Sequence, residues 1–203
     1  MLIRFALRAG LLALAAHVAQ AAPYIPAKGS DVVEHLPRRS DPAQQELQRL
    51  RAQLAANPKD VALAVGVAQQ HINTARRETD PRYLGYAQAA LAPWWDMPAP
   101  PTPVRLLRAT LLQSTHHFPE ALRDLDAIVA AEPDNAQAWL TRATVQTVRG
   151  DYADATRSCA RLSSISAQLV SISCIANVGA MTGRAAASAS LLEMTLKREA
   201  DAD

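Results

Sequence analysis

The sequence predicts an all-α protein: a solenoid of stacked antiparallel helix pairs. Three observations predict it. First, matched residues recur at a fixed offset of 34 in the second half of the chain. Arg108-Ala109-Thr110 precedes Arg142-Ala143-Thr144, His117-Phe118 precedes Asp151-Tyr152, Ala121 precedes Ala155 and Leu125 precedes Cys159, all by 34 residues. A period of that length is one helix-turn-helix unit. Second, only 7 of the 203 residues are Gly, which argues against a β fold with many tight turns. Third, hydrophobic residues make up 49% of the chain but aromatics only 4%. A core of small side chains requires helices that approach closely. Charged residues at 20%, with no long polar tract, argue against wholesale disorder.

Residues 1–21 read as a secretory signal peptide. Arg4 and Arg8 form a basic start, Ala9 to Ala16 an apolar run, and Ala19-Gln20-Ala21 a small-x-small cleavage pattern. The run is shorter than the roughly 20 residues that span a bilayer, so no membrane span is expected in the mature chain. Without Arg4 and Arg8, 19 basic residues face 19 acidic ones. Such a neutral chain lacks the basic footprint that nucleic acid or an anionic lipid surface requires. The expected location is the periplasm or the exterior, an oxidising environment.

Residues 22–42 lack periodicity and read as an extended lead-in. Asp41-Pro42 then signals a helix start, Leu47, Leu50 and Leu54 keep helical spacing, and Asn57-Pro58 ends the segment. Residues 43–92 read as degenerate helical repeats, with a long linking loop from Arg76 to Asp80. Residues 93–103 hold five prolines, at 93, 98, 100, 101 and 103, and read as a rigid non-helical spacer. Better-formed repeats occupy 104–200. In these, Ala109, Ala121, Ala143 and Ala155 let paired helices nest, and Gly150 allows the tight turn between them. Phe118, Trp139 and Tyr152 fill the wedge between helices, while Pro133 and Asp134-Asn135 close one unit and cap the next. No pair buries its apolar face alone, so neighbours must stack. In the last helix, Leu191, Leu192 and Leu196 form an apolar stripe, so that helix either caps the array or docks on a partner or a second copy.

This pattern resembles the tetratricopeptide repeat (TPR) family over about residues 43–200. Trp139, Ala143, Gly150-Asp151-Tyr152 and Ala155 carry the resemblance in the best unit, and Ala109, Phe118, Ala121 and Pro133 in the unit before it. Ala176, Gly183 and Leu192 continue it at an offset near 33, and Pro58, Ala68 and Leu84 mark a weaker unit upstream. Arg108 and Arg142 depart from the family, which usually has Leu there. The resemblance implies a concave surface lined by the first helix of each pair. By helical spacing that face carries Leu106, Thr110, Gln113, Leu140, Thr144 and Thr147, then Ser173, Asn177 and Ala180. The implied partner is a protein or peptide segment, and the implied role an interaction scaffold in the cell envelope. Some members grip a terminal carboxylate with Lys, Arg and Asn. Thr, Gln and Leu dominate here, so a helix or extended segment of another exported protein is the more natural ligand.

Other constellations are weaker. Cys159 and Cys174 are the only cysteines, nearly equidistant from a turn near Ser166-Ala167. Antiparallel helices would bring them to similar height, which favours a disulfide over two small core residues. Their spacing is not a CxxC redox motif. His116-His117 fall in an inter-helix turn without carboxylate or thiol neighbours at ligand spacing, so no metal is expected. His71 reads as a structural helical histidine. Trp94-Trp95 either plug a joint between units or form a stacking platform for carbohydrate or peptidoglycan, the alternative function. No nucleophile motif, phosphate-binding Gly loop or cofactor signature is present, so no enzyme activity is expected.

Overall fold

The computed structural model describes residues 25–34 and 42–201. The expected signal peptide lies outside the described residues. The chain divides into two units, 1–41 and 42–203. In the first, residues 25–34 are irregular around one turn, where the Asp31 carboxylate accepts from the Lys28 backbone N–H at 2.9 Å.

The second unit is helical throughout. Its described residues form α1 (Pro42–Ala56), α2 (Val61–Glu78), α3 (Arg82–Ala90), α4 (Ala92–Trp95), α5 (Thr102–Ser114), α6 (Phe118–Ala131), α7 (Ala136–Arg149), α8 (Tyr152–Leu162), α9 (Gln168–Met181) and α10 (Ala185–Ala200). Four pairs pack most closely: α2 with α3, α5 with α6, α7 with α8, and α9 with α10. First helices also touch in series, α2 to α5, α5 to α7 and α7 to α9. That is a solenoid with the first helices along one face.

Local chemistry sets the starts. Asp60 caps α2 by accepting from the Leu63 N–H at 3.0 Å, and Asn135 caps α7 by accepting from the Ala138 N–H at 3.0 Å. Proline sits in the first turn of α4, α5 and α6, where its missing N–H costs nothing.

The turns inside all four pairs share one device. Thr79, His116, Gly150 and Gly183 adopt positive φ, at 53°, 63°, 85° and 83°. The next residue's N–H then reaches back to a carbonyl of the finished helix: Asp80 to Ala75 at 3.1 Å, His117 to Leu112 at 2.8 Å, Asp151 to Gln146 at 2.8 Å, and Arg184 to Gly179 at 2.9 Å. This is the Schellman termination, and it satisfies carbonyls that would otherwise be orphaned. His116 thus holds a conformation that costs an L-residue about 1 kcal/mol or more. His116→Gly is expected to raise the unfolding free energy by about 0.5–1 kcal/mol, read from urea titration. An unchanged or lower midpoint would contradict that.

The core is small-residue packing. Ala109, Ala121 and Ala155 are 0% exposed and Ala143 1%, at the centre of the second and third pairs. In the last pair Gly179 plays this part: a Cβ there would meet the Ser188 hydroxyl at 2.5 Å.

Two expectations about the N-terminal half need correction. The loop expected from Arg76 to Asp80 is mostly helix. α2 runs on to Glu78, and Thr79 makes the turn without a glycine to mark it. The Pro-rich stretch 93–103 is non-helical only over residues 96–101. Residues 92–95 form the helical turn α4, and α5 begins at Thr102. Trp94 joins Ile72, Ala87, Leu91, Val104 and Leu107 in one core cluster, so the segment joins α3 to α5 through shared apolar surface.

Candidate functional site

A groove of about 470 Å³ lies between α7 and α9. Leu140, Ala143, Thr144 and Thr147 line it from α7, and Leu169, Val170, Ser173, Cys174 and Asn177 from α9. No charged residue lines it. Thr144 Oγ1 donates to the Leu140 carbonyl at 3.0 Å, and Thr147 Oγ1 to the Ala143 carbonyl at 2.7 Å. Those hydroxyls are satisfied within their own helix, which leaves Ser173 and Asn177 as the polar side chains on otherwise apolar walls. Val170 stands 37% exposed on its wall.

Of the groove residues expected from spacing, Leu140, Thr144, Thr147, Ser173 and Asn177 meet in this groove. Leu106, Thr110 and Gln113 do not line it. All three lie on α5, one pair earlier. Leu106 packs against the core cluster of the second pair, and the Thr110 hydroxyl donates to the Leu106 carbonyl at 3.0 Å.

Cys159 on α8 and Cys174 on α9 are joined by a disulfide, with Cα atoms 5.5 Å apart. The bond ties the third pair to the fourth. Because Cys174 lines the groove, the bond anchors one of its walls to the preceding pair.

Arg108 and Arg142 each serve a polar network. Arg108 donates through Nε and Nη2 to both oxygens of Asp124, at 2.7 and 2.6 Å. Its Nη1 donates to the carbonyls of Trp95 and Met97, at 2.5 and 2.9 Å. Each side chain of this pair is only 11% exposed. One guanidinium therefore holds α5, α6 and the segment after α4 together. Exactly one period later the theme recurs in altered form. Arg142 donates to Asp126 at 2.7 Å and to Ser158 Oγ at 2.7 Å, and lies 5.6 Å from the Trp139 ring centroid. Arg142 stands 34 residues after Arg108, and Ser158 34 after Asp124. The 34-residue period marks the arginines but not their partners. The available signal was the same 16-residue step, Arg108 to Asp124 and Arg142 to Ser158.

His116 is the left-handed turn residue, and its ring meets Phe118 edge-on at 5.5 Å. His117 Nδ1 lies 3.0 Å from Thr115 Oγ1. The rings thus serve the turn. Among the described residues no three His, Cys, Asp or Glu side chains converge as a metal site. Trp94 is 7% exposed, and Trp95 packs against the same core cluster. The pair plugs a joint and presents no open indole platform. Among the described residues no helix is long and apolar enough to cross a membrane.

No protein-family model and no curated protein matches the sequence. Solved structures do match the fold. A tetratricopeptide repeat protein from Parabacteroides merdae is similar at 16% identity and a TM-score of 0.58, over 76% of this chain; the chain spans 58% of the length of that protein. MamA is similar at 12% identity and a TM-score of 0.59, over 78% of this chain and 90% of its own. A MamA fragment from Desulfovibrio magneticus, residue 41 to its end, is similar at 11% identity and a TM-score of 0.54, over 79% of this chain and 88% of its own. Repeat period, paired helices, shared turn device and these neighbours agree: this chain is an all-α solenoid with the tetratricopeptide-repeat fold.

Proposed function

We propose that this protein is an exported, non-enzymatic scaffold that seats an uncharged apolar segment of another protein between α7 and α9. The carrying observation is the groove itself, walled by Leu140, Ala143, Leu169 and Val170 without any charged side chain. An amphipathic helix or extended strand of a partner would bury one or two aliphatic side chains there, and Asn177 would pair with its backbone. The disulfide supports a site of action in an oxidising compartment, as does the signal-like sequence of residues 1–21. In this reading Leu106, Thr110 and Gln113 extend the partner's path along α5.

In-cell crosslinking of tagged protein compares wild type with Thr144→Arg. Thr144 is exposed, so the new guanidinium enters the groove without disturbing the core. A partner held by wild type and lost at least about tenfold by Thr144→Arg supports the reading, since a charge forced into an apolar groove costs well over 1.4 kcal/mol. Equal capture by both would sink the groove assignment. Cell fractionation with N-terminal sequencing tests export: a mature start at Ala22 supports it, and retention of Met1 in the cytoplasm refutes it.

A further inference from the structure

A second groove, of about 760 Å³, lies away from the α7–α9 site and is bounded by α1, α2 and α3. Its volume is in the range that holds small ligands. Three aromatic rings line it: His71 from α2 and Tyr83 and Tyr86 from α3. They contact one another, with centroids 6.0 Å (His71–Tyr83), 5.5 Å (His71–Tyr86) and 5.8 Å (Tyr83–Tyr86) apart. Tyr86 is 55% exposed, so one ring of the cluster is open to a stacking partner.

His71 makes this more than a core contact. It is only 5% exposed, and its Nδ1 is buried without a hydrogen-bond partner. Among the described residues only Arg105 Nε shares that condition. An unsatisfied buried nitrogen costs about 1–3 kcal/mol, which an aliphatic side chain at the same place would avoid. Burial first, then the nearby Arg51 guanidinium, holds the imidazole below its ordinary range.

Charge on the rim points to the ligand. Arg77 is paired with Glu78 at 3.1 Å. Arg51 lines the groove beside the imidazole, and among the described residues no carboxylate pairs with it. Gln44, Gln48 and Gln70 supply neutral polar groups around it. Aromatic faces beside one open guanidinium suit a planar body that carries one carboxylate.

We propose that the groove between α1, α2 and α3 binds an aromatic carboxylate, with its ring against Tyr83 and Tyr86 and its carboxylate on Arg51. Two sources share that chemistry: a free small molecule, and a peptide that ends in an aromatic residue. The test titrates N-acetyl-tryptophan into the full-length mature protein and follows the His71 and Tyr86 ring signals by NMR. N-acetyl-tryptophanamide is the uncharged control. The acid is expected to saturate with a Kd of about 1 mM or tighter, and the amide to bind at least about tenfold more weakly. Arg51→Gln should erase that difference, and Tyr86→Ala should weaken both probes. Thr144→Arg should leave both unchanged, which separates this site from the α7–α9 groove. A hexapeptide ending in tryptophan that outbinds the acid marks a peptide terminus as the source; weaker binding marks a free small molecule. No saturable shift of the His71 ring with the acid, equal binding of acid and amide, or an Arg51→Gln variant that keeps the preference would overturn the proposal. Arg51 is exposed, so its variant reads binding and not folding.

Discussion

Arg108→Met is expected to lower the unfolding free energy by about 3–5 kcal/mol, among the largest effects of any single change in this protein. The side chain itself is replaceable; the damage lies in what it leaves behind. Asp124 is 11% exposed, and its two oxygens take both hydrogen bonds from Arg108. Without the guanidinium, a carboxylate stays buried beside apolar helices with no counter-charge. The carbonyls of Trp95 and Met97 lose their donor as well. Arg108→Met combined with Asp124→Leu should recover most of the loss, because removing both charges removes the desolvation penalty with them. Arg142→Met makes the contrast. The carboxylate it leaves, Asp126, is 56% exposed and stays hydrated, and buried Ser158 keeps its hydrogen bond to Gln146 at 2.7 Å, so the cost should stay near 1 kcal/mol. Urea unfolding of the three variants checks the set. A loss below about 1 kcal/mol for Arg108→Met, or no recovery in the double variant, contradicts the account.

The second large effect is expected at the disulfide. Cys159→Ala with Cys174→Ala should cost about 3 kcal/mol, the loop-closure value for a bond that spans 15 residues. The effect should be local. Each repeat contacts only its neighbours, so losing the tie between the third and fourth pairs loosens α9 and α10 first. Hydrogen exchange should show lost protection across Gln168–Ala200 and near-native protection in α5 and α6. The wall of the α7–α9 groove belongs to the loosened part, so the same variant should weaken capture of a partner there. Uniform loss across the array, or none in α9 and α10, would refute the clamp.

Much of the fold could be read from the chain because each pair solves the same local problem. Ala109 and Ala121, then Ala143 and Ala155, sit where helices touch. Gly150 and Gly183 sit where the chain must turn with positive φ. Both constraints act over a few residues and repeat, so they surface as a period. The misreadings fall where a local rule met a non-local demand. Thr79 makes the same turn as Gly150 without a glycine, so the end of α2 reads as loop from the sequence. Prolines 93–103 read as a breaker. Pro93 and Pro103 instead sit in first turns, where proline is tolerated, and Trp94 is drawn inward by Ile72, Leu91 and Val104.

By itself the sequence determined the all-α class, the 34-residue period, the antiparallel pairing and the turns at His116, Gly150 and Gly183. Those follow from backbone sterics and helix periodicity, which act within one repeat. Only the tertiary structure decided that Arg108 would hold Asp124, that the open groove would lie between α7 and α9, and that His71 would be buried against Tyr83 and Tyr86 with a nitrogen unpaired. Each depends on which side chains from different helices share a low-dielectric space. That is a property of the packed array and not of any repeat alone.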